Sequence, residues 1–108
     1  MNDLTFDQMQ TMQRQLHAKY LEKWGGLSPE KAISKFLWLY GELGEASDII
    51  KKRGSTAIGQ DAETRARFVE EMCDALMYFN DVLLCYDVTP EEIANAYTEK
   101  FHTNMKRW

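Results

Sequence analysis

Trp38-Leu39-Tyr40-Gly41-Glu42-Leu43-Gly44-Glu45-Ala46-Ser47-Asp48-Ile49-Ile50 is an apolar run that carries two glutamates three residues apart. On a helix, at about 100° per residue, Glu42 and Glu45 lie roughly 60° apart on one face. Leu39, Leu43, Ala46 and Ile50 form the neighbouring stripe. The two carboxylates therefore border the core-facing surface, where charge is costly unless a cation or a hydrogen bond compensates it. A second stretch repeats the device. Glu71-Met72-Cys73-Asp74 runs beside an apolar face of Met72, Ala75, Leu76, Phe79 and Leu83. Two helices, each with an acid pair at the edge of the core, suggest a site for a hard divalent cation.

Outward from these stretches, the chain of 108 residues reads as one domain, residues 1–108. Its formal net charge of −4 gives no electrostatic footprint for duplex nucleic acid. A small anionic substrate remains compatible with that charge if metal ions offset it locally. Met1-Asn2-Asp3-Leu4-Thr5 shows no basic segment followed by an apolar run, and no apolar stretch reaches membrane-spanning length. A cytoplasmic protein without a membrane partner is expected. Cys73 and Cys85 fall on one helix, roughly 18 Å apart along its axis, too far for a disulfide. Reduced, partly buried thiols follow.

Helix one is expected from Thr5, as N-cap, to about Lys23, with Phe6, Met9, Met12, Leu16 and Tyr20 at helical spacing. Trp24-Gly25-Gly26 breaks it, and Ser28-Pro29-Glu30 restarts the chain as a serine-capped helix. Helix two runs to Lys52 or Arg53 and stops at Gly54. Its apolar arc of Ile33, Phe36, Leu37, Leu39, Tyr40, Leu43 and Ile50 is wider than one neighbour buries, which argues for a central helix and a subunit interface. Gly54 to Gln60 reads as a loop. Helix three spans Asp61 to about Tyr86. Thr89-Pro90-Glu91-Glu92 is a capping box that opens helix four, which ends near Arg107. No segment alternates as a strand does. The fold class is all-α, a four-helix arrangement with antiparallel neighbours.

Magnesium takes oxygen ligands and keeps several waters, so one or two carboxylates per ion suffice. The competing reading of any E-x-x-E is a solvated acidic face. Here both pairs adjoin apolar stripes, and neither has a Lys or Arg at the compensating i+4 position: those positions hold Ala46, Ile49, Ala75 and Tyr78. Gly41 and Gly44 flank Glu42 at a cost of about 1 kcal/mol each in a helix interior. They read equally as helix packing sites or as room for a substrate.

Glu42-x-x-Glu45, followed after twenty-five residues by Glu71-x-x-Asp74, resembles the signature of the MazG-like, all-α NTP pyrophosphohydrolases. The surroundings are similar too: Trp38-Leu39-Tyr40-Gly41 before the first pair, Val69-Glu70 before the second, and Ala75-Leu76-Met77-Tyr78 after it. The tail Glu99-Lys100-Phe101-His102-x-Asn104-x-x-Arg107 is similar to that family's basic ending. The resemblance covers most of the chain from about Leu16. It implies a four-helix bundle, a homodimer or dimer of dimers, and dependence on Mg²⁺, for which Mn²⁺ can substitute. It also implies hydrolysis of a nucleoside triphosphate to the monophosphate and pyrophosphate, as in house-cleaning of nucleotide pools. Carried over, Glu42, Glu45, Glu71 and Asp74 are the metal ligands. A carboxylate not fully used in coordination, Glu42 or Glu45, can take the proton of the attacking water.

Around these acids, Trp38 and Tyr78 lie one turn from Glu42 and Asp74, where either ring could stack on a nucleobase or simply fill the core. The resemblance places an aromatic near the substrate at Tyr78. Lys100, Asn104 and Arg107 share one helix and are candidates for the triphosphate, across a dimer interface; the plainer reading is a basic helix end. Lys35 is a further phosphate candidate. Asp48 and Glu70 read as solvated, and Asp81 stays open. Glu99-x-x-His102 has the form of a di-iron motif, but Arg14 precedes His17 where a second motif needs an acid, so di-iron chemistry is not expected. His17 and His102 read as surface or packing histidines. The alternative to an enzyme is a non-catalytic helical module that binds a nucleotide or assembles with a protein.

Overall fold

Residues 3–108 are described by a computed structural model of the chain. Among them every regular element is helical. The elements are α1 (Phe6–Lys19), α2 (Leu21–Trp24), a 3₁₀ turn (Pro29–Lys31), α3 (Ala32–Arg53), α4 (Ser55–Gln60), α5 (Ala62–Cys85) and α6 (Pro90–Arg107). No helix is long and apolar enough to cross a membrane.

The helix starts are written in capping chemistry. Thr5 and Thr89 each form a reciprocal capping box, with Gln8 and with Glu92. Thr89 Oγ1 accepts from the Glu92 N–H at 3.1 Å, and Glu92 Oε1 accepts from the Thr89 N–H at 3.2 Å. Asp61 caps α5, accepting from the Thr64 N–H at 3.0 Å and from the Thr64 hydroxyl. Those two bonds hold its carboxyl below the usual carboxylate range.

Three expected boundaries are corrected. Helix one ends at Lys19, not Lys23: Tyr20 departs from helical geometry, and the short α2 follows before Gly25 turns the chain in the left-handed region, at φ 77°. Ser28 contributes no side-chain cap, and the chain enters α3 through the proline-started 3₁₀ turn instead. Gly54 to Gln60 is not a loop: after Gly54 (φ 86°), Ser55–Gln60 forms α4, with Ala57 and Ile58 half-buried as α4 packs against α3 and α5. Six residues of small and polar type carry too little periodicity to announce such a turn of helix.

The most extensive pairing is α3 against α5, with α1 lying on α5. Leu39, Ala46 and Ile49 of α3 meet a core shared with Ala75, Val82, Leu84 and Cys85 of α5. The α3 stripe is only partly covered: Leu39 and Ala46 are buried, whereas Leu43 and Ile50 are 43% and 38% exposed. Met72, Leu76 and Phe79 of α5 are likewise exposed. Helix α1 reverses the expected polarity, because its buried residues are Gln10, Gln13 and His17. Helix α6 packs against α1 alone among the described elements and buries none of its residues. The radius of gyration is 16.3 Å, against about 13 Å for a compact domain of this length.

Candidate functional site

The α3–α5 seam positions the acids. Glu42 and Glu45 stand one turn apart on α3, and Glu71 faces them from α5. One carboxylate oxygen from each of the three lies within 4.8 Å of the others. Glu42 and Glu71 are half-buried and Glu45 is exposed. Glu42 Oε2 and Glu71 Oε2 are fully buried without a hydrogen-bond partner. Among the described residues no lysine or arginine lies within ion-pair distance of a carboxylate, so none neutralises this cluster.

The consequence is written in the protonation equilibria. The close approach of the Glu71 carboxylate, reinforced by its charge, pushes Glu45 above the ordinary glutamate range. The neighbouring carboxylate of Glu42 raises Glu71 in turn. Acceptor oxygens buried without a donor are what a divalent cation would satisfy, so these residues fit a hard, oxygen-preferring ion.

Asp74, the fourth expected ligand, is half-buried one turn beyond Glu71 and does not join the triad. It lines, together with Glu42, a cavity of about 530 Å³ that adjoins the cluster. Leu16, Trp24, Trp38, Met77 and Tyr78 give this cavity an apolar wall, and Lys35 lines it as well. Trp38 and Tyr78 stack with centroids 6.3 Å apart and planes 14° from parallel. Burial first, then the charges of Glu42, Asp81 and Asp74, raises the Tyr78 hydroxyl above its ordinary value.

Gln13, His17 and Asp81 supply the cavity's polar wall. Asp81 is 3% exposed, and its Oδ1 accepts from Gln13 Nε2 at 2.8 Å and meets His17 Nε2 at 3.2 Å. The His17 ring also meets Trp24 edge-on, with centroids 5.1 Å apart. Of the two readings of His17, surface or packing, burial in the cavity wall bears out packing. Neither Gln13 nor Trp24 stood out in the sequence as a site residue. The available signal was the polar series Gln10, Gln13, His17 at spacings of three and four, which turns toward α5.

Lys100 and Asn104 do not line the cavity. Lys100 is exposed, and Asn104 Oδ1 is buried without a partner. A Cβ built on Gly41 or Gly44 would meet nothing within 4 Å, so among the described residues no other helix approaches either glycine closely. Comparison of the chain with protein-family models, with curated proteins and with solved structures gives no match.

Proposed function

We propose that the chain is a divalent-metal-dependent nucleotide pyrophosphohydrolase of the MazG-like type, converting a nucleoside triphosphate and water to the monophosphate and pyrophosphate. One observation carries the reading: three carboxylates from two helices converge, two of their oxygens are buried without partners, and an aromatic-walled cavity opens beside them.

Glu42, Glu45 and Glu71 would hold Mg²⁺ or Mn²⁺, with Asp74 as the fourth carboxylate. Such an ion neutralises charge on the phosphoryl oxygens and lowers the pKa of bound water. The side chains do the rest. Glu42 or Glu45 would take the proton of the attacking water. Trp38 and Tyr78 offer ring faces to the nucleobase. Lys35, on the cavity wall, meets phosphate charge.

The fold of this reading is a four-helix bundle made of α1, α3, α5 and α6, completed in a homodimer or dimer of dimers. The large radius of gyration and the unburied α6 support that assembly. Lys100 and Asn104 serve the triphosphate only where α6 of one copy reaches the acids of another. The test is pyrophosphate release from a panel of dNTPs with Mg²⁺ and with Mn²⁺. Release that disappears in Glu71→Gln supports the enzyme. Folded protein that releases none, yet is still protected by nucleotide against heat unfolding, supports the non-catalytic module.

A further inference from the structure

The polar wall of the cavity is built from acceptors. An ionised carboxylate only accepts hydrogen bonds, so the amide of Gln13 must turn its –NH₂ to Asp81 and leave its carbonyl Oε1 without that partner. Asp81 Oδ1 is occupied twice, by Gln13 and by His17. Asp81 Oδ2 and Gln13 Oε1 have no hydrogen-bond partner among the described residues. Both side chains are at least nine-tenths buried, and both line the cavity. The arrangement is held in place by three helix-borne groups: Gln13 and His17 lie on one face of α1, and Asp81 opposes them from α5.

Two acceptor atoms without protein partners, on mostly buried side chains that line the cavity, favour a ligand that brings donors. An exocyclic amino group can donate to them, whereas a carbonyl oxygen at the same place is one more acceptor and cannot. Sites built this way discriminate strongly, because the wrong ligand strands buried polar groups. The apolar wall of Trp38, Tyr78 and Met77 suits the flat faces of a heterocyclic ring.

We propose that Asp81, held by Gln13 and His17, determines base specificity by selecting nucleobases that present an exocyclic amino group over analogues that present a carbonyl at that position. The proposal rests on the nucleotide reading of the site and adds to it the chemical class of base. Carboxylate recognition of a base amino group is a general pairing in nucleic-acid chemistry.

The experiment compares substrates that exchange that amino group for a carbonyl, with a hydrogen gained on the adjacent ring nitrogen: dCTP with dUTP, and dATP with dITP. In the wild-type chain, kcat/KM favours the amino member of at least one pair by about tenfold or more. Asp81→Asn places an amide, donor and acceptor both, at the wall and brings that ratio close to one. Gln13→Leu, which removes one acceptor and loosens Asp81, lowers the ratio as well and serves if Asp81→Asn does not fold. Equal rates within both pairs, or a ratio untouched by these substitutions, overturns the proposal. Binding of dCMP against dUMP and of dAMP against dIMP, without metal, separates the two levels. Selective binding without hydrolysis removes the enzyme and keeps Asp81 as the selector. Hydrolysis without selectivity does the opposite, and no binding of any of the four monophosphates, with no selectivity in turnover, also overturns the proposal.

Discussion

Trp38 of α3 and Tyr78 of α5 stack nearly parallel across the helix seam, 6.3 Å between centroids, and both line the cavity beside the carboxylates. Trp38 remains 58% exposed, so its ring is available on one side. Base stacking on an aromatic side chain contributes about 1–3 kcal/mol per base. Tyr78→Ala is therefore expected to raise KM for the preferred nucleotide about tenfold, with a smaller change in kcat. Tyr78→Phe keeps the ring and should leave KM within about twofold. Steady-state kinetics on both variants checks this, and a Phe variant as impaired as the Ala variant would assign the effect to the hydroxyl.

The carboxylate triad gives a pH dependence of stability whose sign is fixed. Glu45 and Glu71 both have pKa values raised above the ordinary 4.5, Glu45 by the carboxylate of Glu71 and Glu71 by that of Glu42. A raised acid stabilises the fold while protonated, below its unfolded pKa, and that contribution is lost as pH rises from about 4.5 through the raised values. The metal-free protein should thus melt lower at pH 7 than Glu45→Gln does, and the difference should close as the pH falls toward 4.5. Thermal melts of both proteins across that range decide it. A Glu45→Gln variant that melts below wild type at pH 7 without metal would refute the repulsion argument.

Adding Mg²⁺ should reverse the order. An ion that binds the native state alone raises the melting temperature by mass action. Wild type should gain stability with Mg²⁺ or Mn²⁺ at pH 7, and Glu71→Gln should gain much less, because Glu71 is the one member of the triad on α5 and joins the two helices. Equal gains in both would place the ion elsewhere.

The acid pairs, the α-helical class and the α6 capping box were legible because each rests on local spacing: three residues for the carboxylates, T-x-x-E for the cap. What spacing could not supply was partner geometry. Asp74 shares its helix and period with Glu71, yet the α3–α5 packing brings Glu71 and not Asp74 into the triad. The polar wall was hidden for a related reason. Gln13 and His17 look like surface residues until α5 supplies Asp81, 68 residues away from Gln13 in the chain. Helix α1 was read by its apolar series, but its buried face is polar, and nothing in one helix reveals that its neighbour offers a carboxylate.

The two thiols should separate cleanly. Cys73 is exposed on α5, whereas Cys85 is buried at its end, where desolvation raises the thiol pKa. The thiolate is the reactive form, so burial and a raised pKa both protect Cys85. Native protein is expected to consume one equivalent of a thiol reagent at pH 8 and two after denaturation. Peptide mapping should find the native label on Cys73. A second fast equivalent in native protein would mean that the α5 C-terminus opens readily.

Assembly makes the last prediction. A monomeric protein of 12.6 kDa exposes about 6,200 Å² by the usual size scaling, whereas this chain exposes 8338 Å². The excess, roughly 2,100 Å², is comparable to what one subunit gives up in an obligate interface. Its location is apolar: Ile33, Leu37 and Tyr40 on α3, and Tyr97, Phe101 and Met105 on α6, are each at least half exposed. Large apolar side chains left open in this number mark an interaction surface. Sedimentation is expected to give a dimer or a tetramer, with little monomer at micromolar concentration. Leu37→Glu and Phe101→Glu, each placing a charge in the apolar surface, should shift the protein toward monomer. If α6 of one copy serves the acids of another, the Phe101 substitution should also lower nucleotide turnover while leaving the α3–α5 seam intact. A wild-type chain that sediments as a monomer would leave that surface uncovered and remove Lys100 and Asn104 from the site.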